Sequence, residues 1–180
     1  LAIRLFSAWE KPTPNAMITL FGVLYISLPF ALITFIALPG GGDYNHWGLL
    51  AYFILVWTND TGAYLAGISM GRHKLAKRIS PKKTWEGSIG GFIMTMLAAL
   101  LMWHLQITSF QLQDWLIISS VVVVFGNLGD LAESNLKRAL DLKDSGGLLP
   151  GHGGLLDRFD AVLFSAPLVL FYLGFLRQFL

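Results

Sequence analysis

Five apolar windows, each long enough to cross a bilayer as a helix, constrain this chain more than any other feature it carries. A membrane core about 30 Å thick needs roughly 20 mainly apolar residues in helical form. Such windows run approximately from Asn15 to Leu38, Trp47 to Met70, Gly87 to Leu105, Trp115 to Ala132 and Ala161 to Leu180. Pro29 falls inside the first and predicts a kink there. The chain is 54% hydrophobic and only 13% charged, where a soluble domain carries about a quarter charged residues. A soluble fold is excluded on that ground. The expected fold is all-α: a polytopic transmembrane helix bundle of about five spans with polar loops, its 180 residues forming one domain. The chain begins at Leu1 instead of methionine, which predicts a missing N-terminal part.

The charges give the bundle an orientation. Lys and Arg fall before the first window (Arg4, Lys11), between the second and third (Arg72, Lys74, Lys77, Arg78, Lys82, Lys83) and between the fourth and fifth (Lys137, Arg138, Lys143, Arg158). Those positions account for 12 of the 13 basic residues, and the positive-inside rule assigns them all to the cytoplasm. A net charge of +2 spread between apolar runs is not a nucleic-acid footprint, so no nucleic-acid partner is expected. The chain has no cysteine, which removes disulfides, thiolate metal sites and cysteine nucleophiles. Any metal must then be held by oxygen or imidazole, which favours a hard cation such as magnesium.

Polar residues intrude where lipid should be. The apolar run Ile117 to Phe125 passes directly into Asn127, Asp130, Ser134, Lys137 and Asp141, spaced three and four apart so that a helix aligns them, with Glu133 alongside. Asp60 lies near the middle of the second window. A carboxylate at such depth is costly unless it is paired, metal-bound or facing water. The segment Lys143 to Asp160, KDSGGLLPGHGGLLDRFD, crowds glycines around Pro150 and His152 and closes on Asp157, Arg158 and Asp160. Glycines at that density permit the backbone amides to approach and cradle a phosphate. Carboxylates, Lys and Arg side chains and a glycine-rich loop are together the equipment of phosphoryl transfer. Intramembrane acids also occur in ion transporters and channels, but here the charges gather at one membrane face.

Ser134 to Asp160, SNLKRALDLKDSGGLLPGHGGLLDRFD, resembles the signature of the phosphatidate cytidylyltransferases, or CDP-diacylglycerol synthases. A second block, DTGAY at Asp60 to Tyr64 with ISPKKTWEG at Ile79 to Gly87, is similar to the same family. The chain departs from it at Ile68 and Lys77, where the family often has a basic residue and a proline. The resemblance implies transfer of the cytidylyl group of CTP to phosphatidate, giving CDP-diacylglycerol and pyrophosphate, with magnesium and room for a second metal ion. It implies metal ligation by Asp130, Asp157 and Asp160 with Glu133, and catalytic roles for Asp130, Lys137, Arg138, Lys143, Asp144, Asp157 and Arg158. Substrate contacts would come from Asp60, Ser80, Lys82, Lys83, Thr84, Ser134, His152, Gly153 and Gly154. Expected partners are CTP, phosphatidate, membrane lipids and a second copy of the chain as a homodimer. The expected location is the bacterial inner membrane, with the site facing the cytoplasm. The alternative is a CTP-dependent lipid kinase such as a polyprenol kinase, which would release CDP.

Overall fold

A computed structural model describes residues 12–38, 44–139, 141–142, 145, 154 and 156–179. The fold is an all-α bundle with five helices among the described residues: α1 (Pro12–Ile36), α2 (His46–Met70), α3 (Trp85–His104), α4 (Leu112–Ala139) and α5 (Leu156–Gly174), followed by a 3₁₀ turn at Leu176–Phe179. Each helix answers to one of the apolar windows. By length and composition α1, α3 and α4 qualify as membrane spans on their own. Helices α2 and α5 are long enough, but polar groups such as Asn59, Asp60, Asp157 and Asp160 dilute them. Helix α1 runs on through Pro29 to Ile36.

The sequence gives no sign of the one piece of β structure among the described residues. Strands β1 (Lys74–Ala76) and β2 (Ser80–Thr84) form an antiparallel hairpin between α2 and α3, where only a basic loop was expected. Its base is clamped to the start of α3. Trp85 N donates to His73 O, Thr84 Oγ1 accepts from Gly87 N as the helix cap, and the Glu86 carboxylate accepts from both the backbone N and Nδ1 of His73.

Apolar helices gain little by burying apolar surface from lipid, so close packing and polar contacts hold them together. Helices α2 and α3 meet along small residues. A Cβ on Gly62 would lie 2.8 Å from Met94 Cβ, and one on Gly91 would lie 2.8 Å from Asn59 O. Helix α4 packs on α3 and α5, and α5 packs on α1, where Phe30 meets Phe159 and Tyr25 meets Phe164 edge to face. The core is built from Tyr52, Leu55, Trp115, Val122, Val169 and Tyr172. Two buried hydrogen bonds cross it: Tyr52 OH with Ser165 Oγ, and Tyr172 OH donating to Asp114 Oδ1, both at 2.7 Å.

Helix α4 has 28 residues, or about 42 Å at 1.5 Å per residue, and so outruns the hydrocarbon core. Its last turns can therefore carry Glu133, Lys137 and Arg138 beyond the lipid. The polar stripe ends with the helix. Asp141 lies past it at φ 54, where its amide donates to Arg138 O and the Leu142 amide to Lys137 O, a left-handed C-terminal closure.

Candidate functional site

The end of α2, the hairpin, the start of α3 and the polar half of α4 enclose a cavity of about 490 Å³. That volume suits a nucleotide-sized ligand. Asp60, Lys74, Lys82, Lys83, Thr84, Asn127 and Asp130 supply its polar lining, and Ala63, Tyr64, Gly67 and Ile68 supply a wall from α2. Tyr64 and Ile68 are each 67% exposed, so this wall continues onto the apolar surface of the bundle.

Lys83 organises the cavity. Its Nζ lies 2.6 Å from Asp130 Oδ2 and donates to Asn127 O at 3.3 Å, while Ser134 Oγ donates to the other oxygen of Asp130. The hairpin thus reaches an acid on α4 that is distant in sequence. Beside this lies a second polar cluster. Lys137 Nζ bridges Asp157 Oδ1 at 2.5 Å and Glu133 Oε2 at 3.4 Å. Asp157 Oδ2 accepts from the Ser145 amide and hydroxyl and from the Gly154 amide. Burial pushes the Asp157 carboxyl up, but Lys137 and these donors outweigh it and hold it well below the usual carboxylate range. Gly129 lets the two helices approach here, since a Cβ on it would stand 2.5 Å from Asp160 O. Asp160 feels the charges of Asp130, Glu133 and Asp60, so the acids of three helices converge.

Of the expected site residues, Asp60, Lys82, Lys83, Thr84 and Asp130 line the cavity, and Glu133, Lys137, Gly154 and Asp157 form the neighbouring cluster. Ser80 and Arg158 do not line the cavity, and Arg138 turns to the carbonyl of Leu142 at the end of its own helix. Lys143, Asp144, His152 and Gly153 lie outside the described residues. Several lining residues were not anticipated. Tyr64, Gly67 and Ile68 follow Asp60 at helical spacing, and Ser88 follows Thr84 by one turn; these intervals were the available signal. Lys74 joins them because its strand pairs it with Thr84.

The donor chemistry suits a hard cation. Glu133 is buried, and its Oε1 has no hydrogen-bond partner among the described residues. No group of three or more acids and histidines forms a metal cage among those residues. Magnesium does not need one, because it commonly takes one or two carboxylates and completes its shell with water and substrate phosphates.

The sequence profile of the Cytidylyltransferase family matches residues 1–176. Among curated proteins, the chain is 37% identical to the phosphatidate cytidylyltransferase of Rickettsia bellii, over 97% of this chain and 77% of that protein. It is 45% identical to the phosphatidate cytidylyltransferase of Staphylococcus haemolyticus over 86% of this chain, and 48% identical to that of Staphylococcus aureus over 67%. The matched regions span 58% and 46% of the two staphylococcal proteins.

Proposed function

The chain belongs to the cytidylyltransferase family, and from that premise we propose that it transfers the cytidylyl group of CTP to phosphatidate, yielding CDP-diacylglycerol and pyrophosphate. The observation that carries this reading is the cavity itself, lined by Lys74, Lys82, Lys83, Asp60 and Asp130 and walled by exposed apolar residues of α2. Cations there suit phosphates, and the apolar wall suits a lipid whose acyl chains stay in the bilayer.

In this reaction an oxygen of the lipid phosphate bonds to the α-phosphorus of CTP. The bond from that phosphorus to the oxygen bridging it to the β-phosphorus breaks, and pyrophosphate leaves. The attacking phosphate is already ionised at neutral pH, so no protein base is required. The residues act by positioning and by neutralising charge. Lys74, Lys82 and Lys83 offer ammonium donors to phosphate oxygens along the cavity, and the ion pair with Asp130 keeps Lys83 directed inward. Lys137, held between Glu133 and Asp157, fixes the acids of α4 and α5 relative to one another. A divalent cation such as magnesium, held by Asp130 with Glu133, Asp157 and Asp160 as further oxygen donors, would supply charge neutralisation at the phosphates.

The grouping of the cavity, the basic hairpin and the polar ends of α4 and α5 at one end of the bundle supports a multi-pass protein whose site faces the cytoplasm. The test is direct. Protein reconstituted with phosphatidate, CTP and magnesium should release pyrophosphate and accumulate CDP-diacylglycerol. Release of CDP with phosphorylation of a lipid alcohol would overturn the assignment.

A further inference from the structure

The hairpin carries cations that the cavity does not use. From Gly71 to Thr84 the sequence has six Lys and Arg residues and no acid. Lys74, Lys82 and Lys83, near the base, line the cavity. Lys77 and Arg78 stand elsewhere, in the turn beyond the closing pair Ala76 and Ser80. Both are exposed, and neither forms an ion pair among the described residues. The acids near the hairpin's base are engaged elsewhere, Glu86 with His73 and Asp130 with Lys83.

The ends of the hairpin are also flanked by exposed apolar residues of the two helices it joins. It leaves α2 after Met70, which is 62% exposed, and enters α3 at Trp85, which is 57% exposed and followed by exposed Ile89, Phe92 and Ile93. A half-exposed tryptophan at the head of an apolar helix is an interfacial anchor. A strand of three residues reaches only about 10 Å, close to the Debye length of about 8 Å at physiological salt. Even at full reach the tip lies between about one and two Debye lengths from the surface, where the field of an anionic leaflet is reduced but still felt.

The geometry points to a docking function for this tip: Lys77 and Arg78 bind the anionic phospholipid headgroups of the leaflet that surrounds the cavity mouth. The occupant follows from charge complementarity and from the rooting of both hairpin ends at helix termini. It is the membrane surface itself, separate from the substrate phosphate held by Lys82 and Lys83.

The chain has no cysteine, which permits a clean test. A single Ile79→Cys substitution places an environment-sensitive fluorophore beside the tip, and the whole protein is reconstituted in nanodiscs of phosphatidylcholine alone or with phosphatidylglycerol. Emission should shift to the blue with phosphatidylglycerol and return in high salt. In a Lys77→Gln, Arg78→Gln background, the phosphatidylglycerol fraction needed for the shift should rise by about fivefold for each cation removed. Lys77→Arg should keep the wild-type response. Identical emission in both nanodiscs, or an unaltered response in the double variant with an unchanged melting temperature, overturns the proposal. So does a shift in neutral nanodiscs on adding RNA or an acidic protein in place of anionic lipid. Because the signal is not turnover, its failure is distinguishable from failure of the proposed reaction.

Discussion

Lys83 Nζ lies 2.6 Å from Asp130 Oδ2, so the hairpin between α2 and α3 closes on a carboxylate of α4. This contact joins the second motif block to the helix that leads into the first. The pair is partly solvated, with Asp130 39% exposed, so its contribution to stability is small, about 1 kcal/mol or less. In the proposed reaction its value is larger. Lys83→Met and Asp130→Asn should each lower kcat/KM for CDP-diacylglycerol formation by about 100-fold or more, with melting temperatures close to wild type. The double variant should lose less than the two single losses multiplied together, because the residues act as a unit.

Gly129 sets the distance between the acids of α4 and α5. A methyl group there would meet Asp160 O at 2.5 Å and Phe164 Cβ at 3.1 Å, and backbone cannot yield as a side chain can. Gly129→Ala should destabilise the protein by about 1–3 kcal/mol and reduce turnover. Gly22→Ala, with nothing within 4 Å of the added carbon, should leave the melting temperature unchanged or slightly raised. Thermal unfolding of both variants in one detergent checks the contrast.

Asp157 makes stability depend on pH in a definite direction. Its carboxyl is held below the usual range by Lys137, Ser145 and Gly154 against the upward push of burial. Its contribution is therefore complete above the unfolded pKa near 3.9 and is lost as pH falls through the lower folded value. The stability gap between wild type and Asp157→Asn, measured without divalent cations, should stay constant from neutral pH to about 5 and shrink below about 4. A gap that widens in acid would contradict this sign.

The two buried tyrosine bonds should differ in strength. Tyr52 OH meets Ser165 Oγ, which also donates to Ala161 O, so Tyr52→Phe leaves a satisfied neutral hydroxyl and should cost about 0.6 kcal/mol. Tyr172 donates to Asp114, which is 4% exposed and also binds Arg177 and the Gln111 amide. Tyr172→Phe removes a donor from a buried charge and should cost about 1.5–3 kcal/mol. Both lie away from the cavity, so turnover at 25 °C should be preserved; chemical unfolding of the two variants ranks them.

The five helices among the described residues were legible because an apolar run of about 20 residues is a local property, although α4 runs on to Ala139, past the Ala132 at which its window stops, and α5 begins at Leu156, before Ala161. Asp60 and Asp130 stood out as candidates for a related reason, since charge in apolar surroundings is conspicuous in any sequence, whereas Lys82 and Lys83, in a basic loop, were singled out only by the family resemblance. The hairpin was not. Its strands KLA and SPKKT have no alternating apolar pattern and include Pro81. They pair because α2 and α3 hold their ends together, and because His73, Trp85 and Glu86 clamp the base. The division of the acids was equally hidden. Composition puts Asp130 and Asp157 in one class, yet Asp130 takes Lys83 and opens onto the cavity, while Asp157 takes Lys137 and is enclosed. Which cation meets which carboxylate depends on how closely the helices cross, and Gly62, Gly91 and Gly129 set those crossings by having no Cβ to keep the backbones apart. The sequence by itself determined the apolar helices among the described residues and the charged side chains they carry. Only the tertiary structure decided their partners, because contacts between helices arise from packing at positions far apart in the chain.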